Sequence, residues 1–377
     1  MLHEVLVEQV PVFPARPVES TPPKDKIEMD HALKVYSSIT AQIAVDARVA
    51  ISDIHEASGI PQTKAQILEV GHKLDTRATE LLEFGLHEAD FVSEVVDCEG
   101  KKEKRKAEED GIGRTDLRVA EGAYGLGNSI PFSKRQVLQE APEKVKLVID
   151  PIEGTTNASL NKDGSFAIIA GTRSGDITKI PEEDSSAKYA DRIVAHKRLK
   201  GKVSLSNTAE QNIMATLKEY GITDPHEIDV YILGRPRNQA IIYGYESLGT
   251  NVIEIPRGDL APALKALTTE DHPILSIGSG GKPEAVIAAC AAKALGGAFE
   301  LMWVTGDGNP TDEFPGIMDL DEVVSGDPFD CFATFASITG VEELDMDAPQ
   351  SIGNRHLVQT GTITGRVPGL EKQTLII

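Results

Sequence analysis

The sequence predicts an α/β protein, and three observations carry that expectation. From about residue 200 onward, helical periodicity alternates with short β-branched runs, the pattern of helices layered on a sheet. Two earlier stretches, Asp30 to Ile54 and about Gln62 to Leu86, space their apolar residues at helical intervals. Between these regions, Val145 to Ile149 is a compact apolar run that stops abruptly at an acid, a proline and a glycine. A buried strand looks like this when its C-terminal end delivers side chains to a site.

At 377 residues, 40% hydrophobic and 26% charged, the chain has the length for two packed domains and an ordinary globular composition. Its formal charge of −21 argues against nucleic acid or an anionic membrane as the main partner. An enzyme of anionic substrates with this charge must answer it with bound metal and a local cluster of Arg and Lys. Cys98, Cys290 and Cys331 are far apart and lack metal-binding spacing, which fits a reduced, cytoplasmic protein. The N-terminus carries no basic segment followed by an apolar run, so no signal peptide is expected. No stretch reaches the roughly 20 apolar residues that cross a bilayer.

Five prolines, Pro11, Pro14, Pro17, Pro22 and Pro23, make residues 11–25 an extended arm rather than a helix. Gly59 and Pro61 break the first helical pattern. The second carries Lys73, Asp75 and Arg77, which by spacing alone read as a solvated face. The mixed charge run at 100–110 has no apolar face and reads as surface. Next comes Arg118 to Gly125, where Glu121 is followed by glycine; an acid so placed suits a metal ligand.

After Val145 to Ile149, Asp150 and Glu153 sit three residues apart in a turn, followed by Gly154, Thr155 and Thr156. Two readings fit this spacing. The acids cap a helix start, or they share hard divalent cations while the glycine-led turn holds a phosphate through backbone N–H groups. Ser165 to Gly171 reads as a strand, and Thr208 to Tyr220 as an amphipathic helix stopped by Gly221. Asp229 to Leu233 is a strand that runs into Gly234-Arg235-Pro236-Arg237, two guanidiniums about a rigid proline. They are solvated, or they bind phosphate in bidentate fashion at a strand's C-terminal end. A helix over Asn238 to Leu248 leads to a strand at Asn251 to Ile255, ending in Pro256-Arg257-Gly258-Asp259. The strand Pro273 to Ile277 is followed by Gly278-Ser279-Gly280-Gly281-Lys282-Pro283-Glu284 and a helix to about Leu295, closed by Gly296 and Gly297. There Glu284 at the least complements the helix dipole. Asp307, Asp312 and Glu313 fall in a loop, Cys331 to Thr339 is strand-like, and residues 353–366 alternate as terminal strands do.

Asp150-Pro-Ile-Glu153-Gly-Thr-Thr156 resembles the signature of the metal-dependent, lithium-sensitive type of sugar phosphatases, in the spelling of the class II fructose-1,6-bisphosphatases. The resemblance spans about residues 70–340 and is strongest over 145–297. It implies a layered αβαβα sugar-phosphatase sandwich: residues 1–194 an α+β domain with the metal turn, 195–330 an α/β substrate domain, and 331–377 C-terminal strands. It also implies hydrolysis of the 1-phosphate of fructose-1,6-bisphosphate or sedoheptulose-1,7-bisphosphate in carbohydrate metabolism and gluconeogenesis, with Mg²⁺ or Mn²⁺. The partner expected is a small sugar phosphate, in a homo-oligomer that binds neither nucleic acid nor membrane.

By the same resemblance, Asp75, Glu121, Asp150, Glu153 and Glu284 are metal ligands, and Thr155 orients the attacking water beside Asp150 and Glu153. Gly154, Thr155, Thr156, Tyr189, Arg235, Pro236, Arg237, Arg257, Gly258, Asp259, Gly281 and Lys73 contact substrate. Four departures stand out. Lys73 and Asp75 are two residues closer than in the family's Lys-x-x-x-Asp. Ala123 and Gly125 replace the second Glu and the Asp of Gly-Glu-Gly-Glu-x-Asp. Arg257 reverses the first charge of Asp-Gly-Asp. Lys282 replaces alanine in a glycine run one residue longer. They keep open a phosphatase of another sugar or cyclitol phosphate, with Asp116 or Asp110 in the lost acid's role, or a binding protein without turnover.

Overall fold

A computed structural model of the chain describes residues 28–89, 93–98, 145–182 and 184–377. The proline-bearing stretch at 11–25, the charge run at 100–110, and Asp110, Asp116, Glu121, Ala123 and Gly125 lie outside these residues. The described residues fall into two compact units. One comprises those up to Ile169 with Thr334–Thr362 and Lys372–Ile377, the other Ala170–Ala333 with Ile363–Glu371.

In the first unit, helix α1 (Met29–Ser58) buries Ala32, Tyr36, Ile39, Ile43, Ala47 and Ile51, one stripe at steps of three and four. The N–H of Gly59 closes it on the His55 carbonyl at 2.8 Å. Helix α2 (Lys64–Glu88) starts at a capping box. The Gln66 N–H donates to the Thr63 hydroxyl, and the Thr63 N–H to the Gln66 side-chain oxygen at 3.1 Å.

A seven-stranded sheet has the order β1-β2-β3-β10-β12-β11, with β13 beside β12. These strands are β1 (Ser93–Cys98), β2 (Val145–Glu153), β3 (Ser165–Thr172), β10 (Cys331–Gly340), β11 (Gln350–Ile352), β12 (Arg355–Thr364) and β13 (Val367–Ile376). Two hydroxyl pairs tie α1 to the sheet: Tyr36 Oη with Ser93 Oγ at 2.8 Å and Ser37 Oγ with Thr334 Oγ1 at 2.7 Å.

Strand β2 corrects one expectation. It runs through Glu153, so Asp150 and Glu153 are strand residues and the turn begins only at Gly154. Pro151 donates no ladder hydrogen bond, and the next N–H, that of Ile152, goes to Asp150 Oδ1 at 3.0 Å. The chain therefore stays extended without leaving that donor unmet.

The second unit is built on a six-stranded sheet of order β6-β5-β7-β4-β8-β9. Its elements, in chain order, are β4 (Tyr189–Ala195), α4 (Ala209–Tyr220), β5 (Asp229–Leu233), α5 (Gln239–Glu246), β6 (Asn251–Ile255), α6 (Leu260–Thr268), β7 (Ile274–Gly280), α7 (Lys282–Leu295), β8 (Ala298–Val304), β9 (Met318–Asp319) and α8 (Leu320–Val323). The five-residue helix α3 (Thr155–Ser159) belongs to the first unit. Strands β5, β6 and β7 run parallel, and β4 lies antiparallel between β7 and β8. On one face Ile193, Val230, Ile232 and Leu275 pack with Ile213 and Leu217 of α4 and Ile242 and Tyr245 of α5. On the other, α6 and α7 lie against β4. Strand β7 also exceeds expectation, continuing through Gly280 because Gly278, Ser279 and Gly280 pair with Arg192, Asp191 and Ala190 of β4.

Among the described residues no helix is long and apolar enough to cross a membrane. Cys290 and Cys331 are buried free thiols. Burial pushes Cys290 well above the usual thiol range and Cys331 to about 11. A thiol must ionise to attack, so both cysteines should stay unmodified by Ellman's reagent in the native protein and react only after denaturation. Rapid native labelling at either position, read by peptide mapping, would contradict this packing.

Candidate functional site

The end of β2 gathers the first group. Asp150 and Glu153 are 2% and 3% exposed, a degree of burial that carboxylates tolerate only when cations or donors answer them. Gly154 then turns the chain at φ 73°, ψ 38°, a left-handed conformation. A Cβ there would also lie 2.5 Å from the Gly164 carbonyl oxygen, so the position admits glycine alone. Thr155 follows, its hydroxyl bifurcated between Asp75 Oδ1 at 3.1 Å and the Ile152 carbonyl at 3.0 Å. Helix α2 thus brings Asp75 to the threonine that ends the turn, a juxtaposition across 80 residues. Lys73 lies apart from it, exposed and paired with Glu69 one turn away at 2.8 Å. The oxygen donors Asp75, Asp150 and Glu153 have the chemistry a hard divalent cation takes. Among the described residues, however, no three His, Cys, Asp or Glu side chains stand close enough to make a metal group by themselves, and Glu121 lies outside those residues.

The second group forms along one edge of the second unit's sheet. The C-terminal ends of β5, β6 and β7 and the start of the antiparallel β4 all reach it. Helix α5 leaves the end of β5 over one face, whereas α7 leaves β7 over the other. The two chains diverge between these strands, the switch point where open α/β sheets bind ligands.

Asn238 pins that point. Its side-chain amide donates to the carbonyls of Leu233 at 2.8 Å and Ser279 at 3.2 Å, and its oxygen accepts the Ser279 N–H at 2.8 Å. Arg237 is held beside it, with Nη2 on the Ser279 carbonyl at 3.2 Å and its guanidinium carbon 3.6 Å from the centre of the Tyr189 ring. Two sequence-predicted substrate residues, Tyr189 and Arg237, therefore touch. Arg235 donates weakly to the adjacent Gly234 carbonyl at 3.4 Å, and Arg257 is exposed beyond the end of β6. Asp259 is paired with the fully buried Arg192 at 2.8 Å.

Glu284 sits in the first turn of α7 and folds back over Gly281. Any Cβ at Gly281 would fall 2.0 Å from Glu284 Oε2. Lys282, read from the sequence as a change near the substrate, is buried. It donates to the carbonyls of Pro181, Glu182 and Ala187 at 2.6, 3.1 and 3.1 Å, fastening that segment to the start of α7.

The sequence reading missed three residues here: Asn238, Arg192 and Asp191. A charged pair, Asp191-Arg192, inside the otherwise apolar Ala190 to Ala195 was the available signal for two of them. Asn238 had none, since an asparagine after a loop looks like any helix start.

Asp191 accepts a hydrogen bond from the Ser279 hydroxyl. Burial raises its carboxyl above the usual range, with the Ser279 bond and the Arg237 charge acting the other way. The folded protein therefore holds that proton more tightly than the unfolded chain. Stability falls as pH rises from the ordinary carboxylate value through the raised one, and the cost is present in full above that window. Asp191→Asn should raise Tm more at pH 7.5 than at pH 4, in melts followed by circular dichroism; an equal shift at both would exclude this account. Gly154→Ala should destabilise the fold by about 1–3 kcal/mol in urea titration, the usual cost of a left-handed non-glycine residue.

Comparison with known proteins places these groups in context. The family model described as "Bacterial fructose-1,6-bisphosphatase, glpX-encoded" matches residues 125–341, more than half of the chain. The chain is 30% identical over 158 residues to a "Fructose-1,6-bisphosphatase class 2" of Haemophilus influenzae, covering 42% of this chain and 46% of that protein. It is 26% identical over 252 residues to a "D-fructose 1,6-bisphosphatase class 2/sedoheptulose 1,7-bisphosphatase" of Prochlorococcus marinus, covering 66% of each. A protein of Synechococcus elongatus with the same description is 27% identical over 244 residues. The chain thus spans between about half and two thirds of the length of these curated relatives. With the Asp150 turn and the Arg235-Pro236-Arg237 loop both inside the matched region, the chain belongs to the family of glpX-encoded bacterial fructose-1,6-bisphosphatases.

Proposed function

We propose that this protein is a metal-dependent phosphatase that hydrolyses the 1-phosphate of a sugar bisphosphate, with fructose-1,6-bisphosphate the first substrate to test and sedoheptulose-1,7-bisphosphate the second. The observation that carries the reading is the strand end Asp150 to Thr155: two buried acids, a glycine-only turn and a threonine hydroxyl bonded to Asp75. In this reading Asp75, Glu121, Asp150, Glu153 and Glu284 are the ligands of Mg²⁺ or Mn²⁺, which supplies Lewis acidity and neutralises the charge of the reacting phosphate. The N–H groups of Gly154 and Thr155, with the Thr156 hydroxyl, bind the reacting phosphate, and Thr155 orients the water that attacks phosphorus in line. Arg235 and Arg237, about Pro236, take the far phosphate, with the Arg237 guanidinium seated over the Tyr189 ring. Asp259, after Gly258, accepts from the sugar. Arg257 and Gly281 border it.

A second reading, binding without turnover, rests on one specific departure, Ala123 and Gly125 in place of two family acids. One assay separates the two. Phosphate release from fructose-1,6-bisphosphate is measured with Mg²⁺ and with Mn²⁺, for the native protein and Glu153→Ala. The phosphatase reading expects release that stops on chelation, returns with added metal, and falls by about a hundredfold or more in the variant. Tight calorimetric binding with no release from this or related sugar phosphates would instead favour the binding protein.

A further inference from the structure

Arg192 has no role in the reading above, yet it is among the most deeply buried large side chains described. It is 2% exposed on β4, a strand whose neighbours are Ala190, Ile193, Val194 and Ala195. Its Nη2 makes a salt bridge to Asp259 Oδ2 at 2.8 Å and donates to the Asp259 carbonyl at 3.0 Å. Its Nη1, also buried, has no hydrogen-bond partner among the described residues. A buried ion pair with an unmet donor is a poor source of stability; an apolar pair of the same volume does as well or better.

What the pair changes is the aim of Asp259. That residue directly precedes α6 with a helix-like backbone, φ −99°, ψ 0°, and its side chain caps no N–H of the first turn. Its carboxylate meets Arg192 instead. Both side chains line a small cleft, with room for about one water-sized group, together with Tyr231, Leu233, Gly278 and Ser279 at the switch-point edge. Gly280 leaves room for this: a Cβ there would lie 1.9 Å from Asp259 Oδ2 and 3.1 Å from Arg192 Nη1.

We propose that Arg192 is a positioning residue of the substrate site, holding the Asp259 carboxylate toward the cleft, where it reads a hydroxyl of a polyol phosphate. This inference rests on the sugar-phosphate reading above and deepens it, since it assigns recognition of the sugar itself, beyond its phosphates, to one buried pair.

The test is equilibrium binding, kept separate from turnover. Titration calorimetry with Mg²⁺ present, every protein carrying Glu153→Ala so that the sugar ester is not consumed, compares fructose-1,6-bisphosphate with inorganic phosphate for the otherwise native protein, Arg192→Met, Arg192→Lys and Gly280→Ala. Arg192→Met should weaken the sugar ester by about tenfold or more while shifting inorganic phosphate by no more than about twofold. Arg192→Lys should recover part of the loss. Gly280→Ala keeps the arginine and displaces the carboxylate, so it should reproduce the selective loss even if Arg192→Met fails to fold. Equal losses for both ligands, no loss for either, or an otherwise native protein that binds the sugar ester no tighter than phosphate would each overturn the inference. Binding with the predicted selectivity but no phosphate release by the native protein would leave it standing while removing the phosphatase.

Discussion

Buried charge is the constraint on which the site regions depend. Asp150 and Glu153 are almost wholly withdrawn from water at the end of a strand whose preceding residues are aliphatic but for Lys146. Taking a carboxylate out of water is costly, and the surroundings must return what hydration supplied. For Asp150 one local answer is visible: the Ile152 N–H turns onto its carboxylate at 3.0 Å, while the Ser165 hydroxyl meets the backbone carbonyl of Glu153 at 2.9 Å. Gly154 then lets the chain reverse where any side chain would strike the Gly164 carbonyl. Acid, proline and glycine recur in this short segment because each solves one part of one problem.

The second unit meets the same constraint with different chemistry. Its switch-point edge places Asp191, Asp259 and Glu284 among Arg192, Arg235 and Arg237, and most of these groups are at least half-buried. Asn238 contributes no charge and three hydrogen bonds, which join the ends of β5 and β7 and so fix where the Arg235-Pro236-Arg237 loop starts. Arg237 loses hydration, which lowers its pKa, and gains the face of Tyr189. In a chain with a formal charge of −21, the arginines gathered at this strand edge set local positive charge against the acids around them.

Much of this was legible in the sequence. The helices over Met29–Ser58, Ala209–Tyr220 and Lys282–Leu295 follow from apolar spacing and their Gly59, Gly221 and Gly296 stops, because helix periodicity and termination are local. The strands β5 and β6 were legible for the same reason. Strand β4 was not, since Asp191 and Arg192 interrupt its apolar pattern and are satisfied only by Ser279 and Asp259, far away in sequence. The extension of β7 through Gly280 was hidden likewise: glycines there serve close approach to Asp259, whereas in a sequence they read as a strand's end.

The sequence by itself determined the α/β class, the acids and hydroxyls of the Asp150 turn, the guanidiniums about Pro236 and the family these motifs mark. All of these rest on residue identity and short-range spacing. Only the tertiary structure decided which charges meet. It sets Thr155 on Asp75, Arg237 on Tyr189, Lys282 on three loop carbonyls and Arg192 on Asp259, and leaves Lys73 outside on a solvated helix face. The reason is physical. Whether a charged side chain is solvated, paired or poised for a ligand depends on groups brought near by strand order and helix packing, and a one-dimensional pattern carries no record of those neighbours.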